Sequence, residues 1–172
     1  MNLSALKSPP FRSYVVSLHL ALNGFWAQRV IIGWLAWEMT GSAGFVGLVA
    51  FLNFFPTLFV SPLFGVFADR IDVRKGSILS YALAGILSAL FAGLCIFGSP
   101  TPVLLALFSF VTGVISSANH PMRMSLTPRL APAGDLPSVV AITSLNFNMS
   151  RLTGPAIGGI LIQTIGAPLA FA

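Results

Sequence analysis

The stretch GVFADRIDVRKGSIL, residues 65–79, packs Asp69, Arg70, Asp72, Arg74 and Lys75 into seven positions of a chain that has four acids and nine Lys and Arg in 172 residues. It stands between two long apolar runs, residues 44–68 and 77–98. A helix needs about 20 apolar residues to cross the roughly 30 Å hydrocarbon core of a bilayer. Both flanks meet that length, so the charged stretch reads as a polar turn joining two membrane spans.

The same test applied outward identifies further spans at about residues 14–38, 101–119 and 136–165, and APLAFA opens a sixth apolar run near residue 167 that stops inside a span. Helices are the open-ended way to cross, because each must satisfy its own backbone hydrogen bonds. Turns fall at residues 40–42, 69–76, 98–102 and 120–135. Lys7, Arg12, Arg70, Arg74, Lys75, Arg123 and Arg129 all lie in alternate connections on one side. Cations in short loops stay cytoplasmic, which puts the N-terminus and the loops 69–76 and 120–135 in the cytoplasm. Trp34 and Trp37 then fall at the outer end of the first span, where indoles are enriched.

Composition agrees with this reading. Hydrophobic residues make up 56% of the chain and charged residues 8%, with a mean hydropathy of +0.91, whereas soluble domains carry about 25% charged residues. The net charge of +5 is spread between apolar runs instead of forming a stripe, which argues against nucleic acid. Cys95 stands alone in an apolar run, so a disulfide, a cysteine metal site and redox chemistry lack support. The sequence has no nucleotide loop, metal cluster or Ser/His/Asp arrangement; no enzyme activity and no cofactor are expected.

Two cations lie within spans. Arg151 sits about fifteen residues from each end of the run 136–165, roughly 22 Å along a helix rising 1.5 Å per residue, too deep for easy snorkelling. A central arginine costs about 2.5–3.5 kcal/mol on insertion scales, so it should face protein or a water-filled cavity. Ser144, Asn148, Arg151 and Pro155 fall at i, i+4, i+7 and i+11 and draw a polar line down one helical face. Arg29, following Gln28 in the first span, has the same problem. With no acid inside any span, each arginine either fastens helices through hydrogen bonds or contacts a substrate or coupling ion. His19, Asn53 and Asn146 are expected to make interhelical hydrogen bonds, with protonation of His19 an open alternative, and His120 and Arg123 to be loop residues at an interface.

Two motifs carry chemistry. Gly65 and Asp69 share a helix face, the glycine admitting another backbone. Asp69 lies at the helix end disfavoured for an anion, so an arginine or another helix N-terminus should hold it. Ser150, Gly154 and Gly158 form a small-residue ridge for close helix packing, and Pro155 favours a kink.

The spacing Gly65-x-x-x-Asp69-Arg70 followed by a basic pair resembles the signature loop of the major facilitator superfamily. TGSAGFVGLVAFLNFFPTLFVSPLFGVFADR (residues 40–70) and HPMRMSLTPRLAPAGDLPSVVAITSLNFNMSRLTGPAIGG (residues 120–159) extend the likeness to the bacterial exporter branch of the enterobactin (enterochelin) exporter and the macrolide-efflux proteins. The resemblance implies an all-α integral membrane fold: the N-terminal six-helix bundle of a major-facilitator transporter, five spans plus the start of a sixth, in the bacterial inner (plasma) membrane. It implies that Asp69 acts as a conformational latch with Arg70 and Arg74 as charge partners, although Asp72 and Val73 stand where glycine and a basic residue are common. Gly154-Pro155 with Gly158-Gly159 resembles the fifth-helix antiporter motif, with Ala141 and Ser150 in place of its earlier glycines. The implied function is efflux of a small amphipathic molecule (a siderophore, drug or macrolide) by alternating access. Its partners would be that substrate, the bilayer, a coupling ion such as H+, and a C-terminal half. The alternatives are a non-transporting membrane scaffold and an inert truncated fragment; Arg29, Asn148 and Arg151 are the candidate cavity residues for the transporter.

Overall fold

A computed structural model describes residues 4–68, 72–98, 100–131 and 134–171. A 3-10 turn at Ser4–Lys7 leads into α1 (Pro9–Thr40), α2 (Ala43–Ala68), α3 (Val73–Phe97), α4 (Pro102–Arg129), α5 (Leu136–Ile165) and the short α6 (Ala167–Ala170). No strand occurs among the described residues. By length and composition α1, α3, α4 and Ala43–Leu63 of α2 could each cross a membrane. The 30-residue α5 falls short in hydropathy because Asn146, Asn148, Ser150, Arg151 and Thr153 interrupt its apolar run.

Local chemistry sets the boundaries. Prolines occupy the first turns of α1, α4 and α5, where a missing N–H costs nothing. Gly41 closes α1 in the left-handed conformation at φ 60°, its N–H bonded to the Trp37 carbonyl at 2.8 Å. Asp72 caps α3, accepting from the Arg74 and Lys75 amides at 3.0 and 3.3 Å. Thr101 caps α4 through the Leu104 amide at 3.3 Å.

Several helices outrun their apolar windows. Residues 120–129, expected within a loop, continue α4 through Pro121 and Pro128. They stay helical because Ala118 and Met122 are buried against Val73 of α3, and the Tyr14 hydroxyl meets Thr127 Oγ1 at 3.0 Å. Arg74 and Lys75 likewise belong to the first turn of α3 instead of the connection before it.

Two helix pairs form the bundle, α1 with α5 and α2 with α4, and α3 lies against α4. Small residues permit each close approach. A Cβ on Gly154 would lie 2.6 Å from the Trp26 Cβ, and one on Gly158 2.9 Å from the Ala27 carbonyl oxygen. Gly113 of α4 does the same for α2, where a Cβ would strike the Asn53 carbonyl. Asn53 then bonds back to the Ser109 carbonyl and Thr112 Oγ1, both at 3.2 Å. At the far end Phe91, Phe108 and Phe171 pack with centroids 4.4, 5.0 and 5.2 Å apart, joining α3, α4 and α6. Large apolar side chains nonetheless cover the outside, Leu20, Phe59 and Leu152 among them. Such a surface suits lipid, where packing and interhelical polar contacts hold helices together.

Candidate functional site

Arginines of α1 and α5 converge on Trp26 of α1. The Arg29 guanidinium carbon lies 5.5 Å from the ring centroids of Phe25, Trp26 and Phe54, the last contributed by α2. Arg151 reaches the same indole from α5 at 5.7 Å. Phe147, one turn before Arg151, meets Trp26 edge-on at 6.1 Å, and Arg123 of α4 sits 5.1 Å over the Phe147 ring. The result is a ladder of guanidinium groups and rings across α1, α2, α4 and α5. Each contact supplies about 0.5–1 kcal/mol when exposed and about 2 when desolvated, which offsets part of the cost of holding a cation within a span.

No carboxylate among the described residues pairs with these arginines. Glu38 accepts from Trp34 Nε1 at 2.7 Å, Asp72 caps α3, and Asp135 accepts from Ser4 Oγ at 2.6 Å. Arg29 is half-buried, whereas Arg151 and Asn148 are exposed, and Asn148 donates to the Ser144 carbonyl at 2.9 Å. The Trp26 Nε1 is buried, and no acceptor among the described residues reaches it. Among the described residues, the arginines' positive charge thus meets aromatic faces and no carboxylate.

Beside the ladder, α1 and α5 share a polar seam. His19 Nδ1 lies 2.6 Å from Asn146 Oδ1, and Asn146 donates to the Val15 carbonyl at 3.0 Å. Asn23 donates to Ser150 Oγ at 3.2 Å and accepts from Thr153 at 2.6 Å. Ser150, Gly154 and Gly158 are buried in this seam, whereas Pro155 is partly covered and Gly159 faces open space.

A groove of about 970 Å³ runs between α1, α3 and α4, with Gln28, Tyr81 and Ser88 on its walls; it shares Phe25 and Arg123 with the ladder and Asn23 with the seam. Arg29, Asn148 and Arg151 do not line it. Gln28 spans to Ser88 at 2.8 Å, and Ser80 bonds to Asn119. Asp69 and Arg70 lie outside the described residues; Gly65 belongs to the last turns of α2. Trp26, Phe54, Phe147, Asn23 and Thr153 are the site residues that the sequence reading did not single out. An aromatic three residues before an arginine on one helix, as Trp26 stands to Arg29, was the available signal.

The family described as transmembrane secretion effector matches residues 1–172, the whole chain. The chain belongs to the major facilitator superfamily. Among curated relatives it is similar to the staphyloferrin A transporter of Staphylococcus aureus, 25% identical over 158 residues, 90% of this chain and 39% of the relative. It is also similar to the enterobactin exporters of Shigella boydii and Citrobacter koseri, each 31% identical across 96% of this chain and 40% of theirs. This major-facilitator chain therefore spans about 40% of the length of the relatives it matches. No solved structure gives a significant match. An all-α membrane fold follows from the family together with the long apolar helices.

Proposed function

We propose that this chain forms the N-terminal half of a secondary exporter for a small anionic, ring-bearing molecule of the siderophore class. The observation that carries the reading is the pair Arg29 and Arg151 on the Trp26 indole with no carboxylate among the described residues beside them. A ligand with acidic oxygens and flat rings answers both features: oxygens for the guanidinium forks and ring faces for Trp26, Phe25 and Phe54. The similarity to siderophore exporters supports the same class. A superfamily transporter binds substrate near the bilayer midplane and works by rocking its two halves about that site. The chain therefore acts with a C-terminal half, in the bacterial inner membrane with its N-terminus cytoplasmic, and performs no covalent chemistry. The cation-rich end formed by Lys7, Arg12, Arg74, Lys75 and Arg129 supports that orientation.

The test measures siderophore in the medium of host cells producing the protein with Arg29→Gln or Arg151→Gln. External siderophore should fall with intracellular accumulation, more for Arg29, which touches three rings. Unchanged secretion by both variants at normal protein levels would remove the arginines from the mechanism. Secretion unchanged on deletion of the gene would remove the export reading itself.

A further inference from the structure

We infer that His19 is a proton-binding site whose occupancy is converted by Asn23 into a change at the α1–α5 contact; as a coupling site it rests on the export reading above. The imidazole is held in one neutral tautomer by two amides whose own orientations are set by backbone. Asn146 must point its Nδ2 at the Val15 carbonyl, 3.0 Å away, so its Oδ1 faces His19 Nδ1 at 2.6 Å and that nitrogen carries the proton. Asn23 points its Nδ2 at the His19 carbonyl, 2.8 Å away, and takes the Thr153 hydroxyl on Oδ1. The same Nδ2 lies 3.1 Å from His19 Nε2 and shares its two hydrogens among that nitrogen, the His19 carbonyl and Ser150 Oγ, so Nε2 faces a donor and is the nitrogen with a lone pair.

A second proton can bind only at Nε2. It forms an N–H bond from that lone pair and leaves an imidazolium, and the Asn23 amide now opposes it donor to donor. The seam has a way to answer. Turning the Asn23 amide over gives Oδ1 to the new Nε2–H and Nδ2 to Thr153 Oγ1, whose one hydrogen turns from Asn23 to the Met149 carbonyl, 2.9 Å away, and leaves the oxygen to accept. The turned amide gives up its bonds to the His19 carbonyl and to Ser150 Oγ on α5. One proton thus replaces one set of α1–α5 hydrogen bonds with another.

The setting isolates this event from other titrating groups. From α5 the ring meets Asn146 and Ser150, and from α1 Asn23. Among the described residues, Arg29 and Arg151 lie over Trp26 and Arg123 over Phe147. The Tyr14 hydroxyl is held on Thr127 and Asp135 on Ser4. Histidine is the side chain whose ordinary titration falls within physiological pH. Asn23 is also tied mechanically to the arginine ladder, because its carbonyl lies 2.9 Å from where a Gly154 Cβ would stand, beside Trp26.

The test is nitrogen NMR of isotope-labelled histidine and asparagine in the protein in lipid nanodiscs, with His120→Gln leaving His19 as the sole ring. The neutral ring should be the Nδ1–H tautomer. Acidification should protonate Nε2 and move the Asn23 side-chain amide in the same step. An Nε2–H tautomer, a ring that stays neutral on acidification, or an Asn23 amide indifferent to its protonation would overturn the inference. A transport arm uses enterobactin as probe in proteoliposomes holding this chain together with its C-terminal half: His19→Gln should lose accumulation driven by a pH gradient yet keep exchange without one. Equal gradient-driven accumulation in the variant would overturn the coupling role. No transport by the unsubstituted protein would count against the export reading, and the NMR result would decide the proton site alone.

Discussion

Gly154 of α5 lies against Trp26 of α1 so closely that a Cβ on the glycine would come within 2.6 Å of the tryptophan Cβ and 2.9 Å of the Asn23 carbonyl oxygen. The helix seam and the cation ladder are therefore built on one contact. Gly154→Ala should force the helices apart at a cost of about 1–3 kcal/mol, the usual range for overpacking. Gly159→Ala, whose new methyl enters open space, should leave thermal melting of the purified protein unchanged. Equal melting of both variants would refute the seam.

Asp72 carries a second expectation. Its carboxylate accepts from two amides at the start of α3, so Asp72→Ala should cost about 0.5–2 kcal/mol as lost N-caps do. Asp72→Asn should cost far less, because an amide oxygen caps as well. Denaturation midpoints of the two variants check this; equal losses would mean that the charge and not the cap is what matters.

Asn53 tests the other helix pair. Replacing it with Ala removes both of its bonds to α4, and interhelical hydrogen bonds in membranes are worth about 0.6–2 kcal/mol. The expected loss lies in that range, and pairing the change with Thr112→Val should give less than the sum of the two. Strict additivity in a double-mutant cycle would show that the two side chains do not interact.

The helices were legible because apolar runs of spanning length are separated by short charged or proline-rich turns. Their ends were not. The stretch 120–135 read as a turn, yet α4 continues to Arg129 because Met122 and Thr127 find partners on α3 and α1. The depth of Arg29 and Arg151 in their runs marked them as unusual. What they touch was hidden, since Trp26 and Phe54 come from two helices and look individually like lipid-facing aromatics. Asp72 had stood out as a departure from the superfamily pattern, and its capping bonds give that departure a local reason. Asn23 and Thr153 were missed because a lone polar residue in an apolar run says nothing about its partner 130 residues away.

The indole of Trp26 has one more consequence, an optical one. Its Nε1 is buried without an acceptor among the described residues and its ring lies beneath two guanidinium groups, whereas Trp34 and Trp37, the only other tryptophans, are 47% and 49% exposed. With Trp34→Phe and Trp37→Phe the protein would contain a single fluorophore, emitting at short wavelength from a dry, positively charged niche. An acidic aromatic compound arriving between Arg29 and Arg151 should quench or shift that emission directly. The molecule thus carries its own light-emitting gauge of whether the niche is occupied.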